Sequence, residues 1–237
     1  MSTPTAAVTW REVAARVGRD VAGPAADAVD REARFPHETF AALREAGMMS
    51  ALVPLERGGG GASIAETALA VQELGRWCSS SSLILAMHHI QVACLVRHGR
   101  TPELEALLDR VVAEQLLLAS ATTEIGIGGD VRTSSCHVER AGGRFTLAKN
   151  APVISYGAQA DVVMTTARRA ADAPPSDQVL VACVAGEGLT LEQTSTWDTL
   201  GFRGTASPGF QLEATGPLGY VLPEPYADIS TRTMLPL

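Results

Sequence analysis

Lysine is almost missing from this chain. Lys149 is the single lysine among 19 basic residues, which face 26 acids for a net charge of −7. A polyanion-binding surface gathers Lys and Arg on one face. The basic residues here form no such cluster, which argues against nucleic acid as a main partner. There is no C-x-x-C pair: Cys78, Cys94, Cys136 and Cys183 stand far apart, and isolated thiols in apolar patterns behave as small hydrophobes. Met1 to Trp10 lacks the basic and apolar regions of a secretory leader, so a reduced, cytoplasmic protein is expected. No long apolar run is present either. The most apolar stretch, Leu83 to Val96, is interrupted by His88, His89 and Gln91 and falls short of the roughly 20 residues of a membrane span. A G-x-S-x-G elbow is absent, which disfavours a hydrolytic triad, and the glycines at 58–61 lack the G-K-[ST] ending of a phosphate loop.

What is present suffices for a packed core. The chain has 237 residues, 46% of them hydrophobic, which excludes disorder as its main state. Its periodicity changes near residue 118. Before that point the spacing is helical. Ser63-Ile64-Ala65-Glu66 is a capping box, followed by the apolar stripe Ile64, Ala68, Val71, Leu74 and Cys78. Thr101-Pro102 is an N-cap with proline at the first helical position. Gly47 and Gly99 stand where helices end, and a first helix over about 9–33 is expected to break near Gly23-Pro24. The glycine run reads as a flexible turn leading into Ser63. His88, His89 and His98 read as packed structural histidines, since no acid or cysteine completes a ligand set.

After residue 118 short strands alternate with turns. Cys136–Glu139 and Arg144–Leu147 flank Gly142-Gly143, a hairpin signal. Further runs lie at 161–167, 179–184, 188–193 and 210–214. The expected fold class is α+β: an N-terminal all-helical domain (1–117), then a small antiparallel β-barrel or sandwich domain (118–237). The most informative segment is Ala121-Thr122-Thr123-Glu124-Ile125-Gly126-Ile127-Gly128-Gly129-Asp130, at the junction of the two halves. Closely spaced glycines and two hydroxyls let backbone amides approach a polar planar group or a phosphate.

That segment resembles the A-x-[ST]-E-x-x-x-G-[ST]-D signature of the acyl-CoA dehydrogenase family of flavoproteins. Four more stretches agree in order: Val53-Pro54 with the glycines at 58–61, Glu73-Leu74-Gly75-Arg76, Val153-Ile154-Ser155-Tyr156-Gly157 with Ala160-Asp161, and Trp197-Asp198-Thr199-Leu200-Gly201-Phe202-Arg203-Gly204-Thr205. The resemblance covers about residues 35–237. It implies FAD as cofactor and an acyl-CoA or acyl-carrier thioester as substrate. By the motif match Thr122 and Thr123 would bond the pyrimidine end of the flavin ring, and Ser155 would place a hydroxyl near its N5. Gly128, Gly129 and Asp130 would form the turn beside the pyrophosphate and the substrate carbonyl.

Three positions depart from the pattern. Gly129 replaces a hydroxyl residue, Val153 replaces the aromatic that lies against the ring, and Tyr156 replaces Asn. In the family a third, helical domain follows and supplies the catalytic carboxylate, and no residue here matches that base. The resemblance therefore implies a Cα–Cβ dehydrogenation site shared with a second subunit, or a homo-oligomer. Two alternatives stand beside it: a flavin-dependent monooxygenase of the same fold, and a non-catalytic family member that binds a partner or acyl carrier.

Overall fold

The computed structural model describes residues 8–127 and 129–237. Six helices come first: α1 (Trp10–Val17), α2 (Gly23–Arg31), α3 (His37–Glu45), α4 (Ile64–Gly75), α5 (Ser79–His98) and α6 (Pro102–Glu114). Seven strands follow, β1 (Leu118–Ala121), β2 (Glu139–Ala141), β3 (Arg144–Ala151), β4 (Val162–Arg168), β5 (Gln178–Val184), β6 (Leu189–Gln193) and β7 (Phe210–Pro217), then a short α7 (Tyr226–Ile229). The expected caps are in place: Ser63 and Glu66 bond reciprocally at the start of α4, and Thr101 caps α6 ahead of Pro102. A second capping box, Thr9 with Glu12, opens α1.

Three local expectations change. The irregularity in the first helical stretch is a wide π-helical turn over Gly18–Ala22, upstream of Pro24, which sits harmlessly in the first turn of α2. Trp77 explains the position, because a Cβ on Gly18 would lie 2.2 Å from its ring. The turn at 58–61 is packed rather than flexible: a Cβ on Gly59 would meet Val53 O at 2.3 Å, and one on Gly60 would meet Trp10 at 2.3 Å. Finally, α5 has 20 residues and is by length and composition alone apolar enough to cross a membrane. Here it is the central helix, with Ile84, Leu85, Val92 and Leu95 in the core.

Among the described residues the strands form two sheets and no closed barrel. One sheet has the order β1-β4-β5 and the other β2-β3-β7-β6. All pairings are antiparallel except β1 with β4, which run parallel from Leu118 opposite Val162 to Ala121 opposite Thr165. In β4 every residue from Val162 to Ala167 is buried, and in β5 every residue is, the pattern of strands covered on both faces. β3 alternates exposed and buried along its length, as a one-sided strand does. Gly142 and Gly143 both take positive φ in the β2–β3 turn, which a two-residue type I′ hairpin requires.

The helical layer is tied to the start of β1 by two sets of polar contacts, one buried and one partly exposed. His88 on α5 donates from Nε2 to Met49 O at 2.8 Å and accepts the Leu118 N–H at Nδ1, 3.0 Å away. Asp161 accepts the Leu117 N–H and one N–H of Arg44 on α3, each at 2.7 Å. These bonds fix where β1 begins, four residues ahead of the loop that follows it.

Candidate functional site

Three loops meet at one end of the sheets: the loop after β1, the β3–β4 connection and the long β6–β7 connection. Each carries one of the stretches singled out in the sequence. Thr122 and Thr123 follow β1 directly and are partly exposed. The Thr123 hydroxyl reaches Val153 O at 3.4 Å, and Ile125 N–H bonds Asn150 O at 3.0 Å. Ile154 N–H bonds Pro208 O at 3.0 Å, and Tyr156 N–H bonds Thr205 O at 2.8 Å. Thr123, Val153, Ser155 and the 205–208 segment thus belong to one hydrogen-bonded cluster.

Tyr156 stands where the family pattern has Asn, and its backbone shows why Asn suits the position: φ is +44°. This left-handed conformation is unfavourable for a large side chain. It is offset by complete burial of the ring and a bond from the Tyr156 hydroxyl to Leu118 O at 2.9 Å. Tyr156 therefore anchors the loop from below and leaves Ser155 at the surface of the cluster. Val153 is exposed beside it.

The β6–β7 loop braces itself. Trp197 Nε1 donates to Phe202 O, Asp198 pairs with Arg203 at 2.7 Å, and Arg203 Nε reaches back to Asp30 O at the end of α2. A Cβ on Gly204 would lie 2.3 Å from Val29 and 3.0 Å from Ser80, so only glycine lets the loop sit against α2 and α5. The W-D-T-L-G-F-R-G-T run is thus a docking device for its own loop. It delivers Thr205 and Ser207, both buried, to the back of Ser155. These two hydroxyls were not singled out by sequence reasoning. No local signal gave them away, because the turn over Arg203–Thr205 and the left-handed Ala206 set their directions.

Gly128 lies outside the described residues. Gly126 and Gly129 have φ of +99° and +85°, with open space where a Cβ would be; glycine is needed here for its backbone freedom and not for close packing. Asp130 does not face a ligand freely. Its Oδ1 accepts Arg132 N–H at 3.1 Å and Arg132 Nε at 3.2 Å, and the backbone bond above all holds its carboxyl below the usual range. Glu124 is likewise committed: its two oxygens accept the N–H groups of Ser135 and Cys136 at 3.0 and 2.8 Å, closing the loop base. Glu124 is thus not free to act as a base, whereas Asp130 keeps its Oδ2 unbonded among the described residues. Beside the loop lies a cleft of about 300 Å³ lined by Val131, Arg132, Ser176, Gln178, Tyr226 and Thr231, among others.

No group of three His, Cys, Asp or Glu residues among the described residues could hold a metal. The four cysteines are free and buried, and burial pushes the thiols of Cys94, Cys136 and Cys183 up to about 12. Lys149 is buried under the β-sheets, with Nζ on Thr166 O and Oγ1 at 2.8 and 2.9 Å. His98 bonds Glu224 and Thr233 at 2.9 and 2.8 Å, fastening the C-terminal segment to α5.

The family pattern described as acyl-CoA dehydrogenase, N-terminal domain, matches residues 6–115. Mitochondrial isovaleryl-CoA dehydrogenase from Pongo abelii is 27% identical over 199 residues, 82% of this chain and 47% of that protein. Butyryl-CoA dehydrogenase from Megasphaera elsdenii superposes with a TM-score of 0.83 over 99% of this chain and 63% of its own, at 19% identity. FMN-bound TdsC, a dibenzothiophene monooxygenase from Paenibacillus sp. A11-2, superposes with a TM-score of 0.80 over 91% of this chain and 54% of its own, at 20% identity. The chain spans about half the length, or less, of the curated relatives it matches. Residues 6–115 thus belong to the acyl-CoA dehydrogenase N-terminal domain family, and the chain as a whole has the fold of the N-terminal helical and middle domains of acyl-CoA dehydrogenases.

Proposed function

We propose that this chain forms the flavin-facing part of a site that oxidises an acyl thioester at Cα–Cβ, with FAD as cofactor. The observation that carries the reading is the convergence of Thr123 and Ser155 on one hydrogen-bonded loop cluster, with Thr122 preceding it in the chain and an open glycine turn following. The Thr122 hydroxyl has no partner among the described residues, and Ser155 bonds only inward, to Ser207. Such a donor set fits the polar edge of a flavin ring. Thr122, Thr123 and the amides of the glycine turn would orient that edge, and Ser155 would address the ring nitrogen that takes hydride. FAD, when bound, supplies the hydride acceptor, and the protein tunes it through these bonds.

The cleft between Arg132, Gln178 and Tyr226 suits the arm of a thioester beside the turn. Removal of an α-proton needs a free base within hydrogen-bond reach. Glu124 is committed through both oxygens and Asp130 is held ionised by Arg132, so the reading places that base outside the described loops, on a partner subunit or another segment. The likeness of fold to a monooxygenase supports a second reading, in which oxygen and not a thioester is the reaction partner of the reduced cofactor.

The test is a titration of the chain with FAD, followed by flavin fluorescence, for the wild type and for Thr123→Ala/Ser155→Ala. Binding that weakens at least about tenfold in the double variant supports the reading, being the loss of two hydrogen bonds of about 1 kcal/mol each. Absence of binding by the wild type overturns it. Bleaching of the bound flavin by an acyl-CoA under anaerobic conditions separates the dehydrogenase from the monooxygenase.

A further inference from the structure

The helical layer holds a cleft that the proposed redox chemistry does not use. It lies between α4 and α5, has a volume of about 210 Å³, and is walled mainly by Ile64, Ala68 and Val71 on one helix and Ala86 and Ile90 on the other. It shares no residue with the loop cluster around Ser155, and no charged side chain lines it. Of its polar neighbours, the Thr67 hydroxyl donates to Ser63 O at 3.0 Å and Gln72 is exposed. His89 is the exception. It lines the cleft and is 3% exposed, and neither Nδ1 nor Nε2 has a hydrogen-bond partner among the described residues.

The neighbouring ring sharpens the contrast. His88 packs edge-on against His89 at 4.9 Å between centroids, but both its nitrogens are already engaged, by Met49 O and Leu118 N–H. It has nothing left to give His89. Burial keeps His89 uncharged near neutral pH, so its ring carries one N–H donor and one bare acceptor nitrogen. A buried polar ring with both positions empty is costly, and folded proteins rarely leave one so. The sequence pattern alone makes His89 a packed structural histidine; the fold packs it without satisfying it.

We propose that this cleft is a binding site for a small uncharged molecule with an apolar body and one hydroxyl, and that His89 pairs with the hydroxyl. The walls set the body. An apolar protein cavity of about 150 Å³ accommodates a benzene ring, and this cleft leaves room for a substituent. The histidine sets the polar group. A hydroxyl can donate to the bare nitrogen or accept from the ring N–H, so it suits whichever nitrogen it meets. A carboxylate can only accept, and it would enter an apolar cleft with no cation to meet it. An ammonium fails for the converse reason. The site stands independently of the flavin reading, since the two share no residue.

The experiment titrates the full chain, with no cofactor added, with phenol, cyclohexanol, toluene and benzoate, and follows amide and imidazole signals by heteronuclear NMR. Phenol or cyclohexanol should give saturable shifts centred on His89 and the facing turns of α4 and α5, and benzoate should bind at least about tenfold more weakly. His89→Phe keeps a ring and removes both nitrogens. In it the ratio of phenol to toluene affinity should fall about fivefold, one net hydrogen bond, while toluene binding is kept. Ala86→Leu fills the cleft from its wall, leaves His89 in place and should abolish the saturable shifts, which keeps the test decisive where His89→Phe does not fold. An unchanged phenol-to-toluene ratio in His89→Phe, benzoate binding as tight as phenol, shifts that map away from the cleft, or no saturable binding of either hydroxyl compound by the wild type overturns the proposal. None of these results touches the flavin reading.

Discussion

His88 shows what a single buried side chain decides. Its ring lies wholly inside the protein, donating to Met49 O and accepting from Leu118 N–H, so the neutral Nε2–H tautomer is the one that fits. Burial holds its pKa down at about 4, and that of the adjacent His89 well below the ordinary value. The unfolded chain, with histidines near 6.5, binds more protons in that interval. Stability from these groups is therefore full above pH 6.5 and is lost as pH falls toward 4. For His88 the loss amounts to about 3 kcal/mol. Urea denaturation at pH 7.5, 6.0 and 5.0 should give steadily falling stabilities, and a flat profile would contradict the assignment. Lys149 provides the opposite case. Burial lowers its pKa, and its bonds go to Thr166 with no carboxylate in an ion pair. Lys149→Met keeps the volume and removes the buried cation, and should leave stability equal or higher. Lys149→Ala opens a cavity and should cost about 2–4 kcal/mol. The melting temperatures of the two variants should move apart.

At the scale of elements, the long β6–β7 loop is held by side chains more than by ladder bonds. The Arg203 pairing with Asp198, its reach to Asp30 O and the bare Cα of Gly204 all dock the loop on α2 and α5. Gly204→Ala would force a Cβ to within 2.3 Å of Val29. It should destabilise the fold by about 1–3 kcal/mol and weaken FAD binding, because Ser155 is supported from this loop through Ser207. Gly201→Ala, where no atom lies near a Cβ, is the matched control and should do neither. Chemical denaturation and FAD titration of the two variants decide the point.

Over the whole molecule the buried side chains form one continuous cluster from Val13 to Ile229. The polar ties at its seam, His88 to Leu118 and Asp161 to both Arg44 and Leu117, are short. Unfolding should accordingly be a single cooperative transition, with calorimetric and van't Hoff enthalpies in agreement. Asp161→Ala, which strands the Leu117 N–H and frees Arg44, should lower stability by about 2 kcal/mol. Two separated heat-absorption peaks for the wild type would show that the helical and sheet layers unfold independently.

Much of this architecture was legible in the chain because the signals are local. A hydroxyl three residues before a glutamate caps a helix wherever it lies, as Ser63 and Glu66 do. Two glycines between alternating strands make a tight hairpin, as Gly142 and Gly143 do. The motif order pointed to the right loops for the same reason, since each loop is a contiguous stretch. What local pattern could not convey is what each residue meets across space. The parallel pairing of β1 with β4 joins residues 44 apart in the chain. The packed glycines at 58–61 owe their identity to Val53, Ala51 and Trp10. Glu124, unassigned in the sequence, closes the base of its loop through the amides of Ser135 and Cys136. The sequence by itself determined the helices, the strands and the family. Only the tertiary structure decided which hydroxyls stand behind Ser155, because hydrogen bonding depends on distances set by packing, and packing brings together residues 155, 205 and 207 from two separate loops.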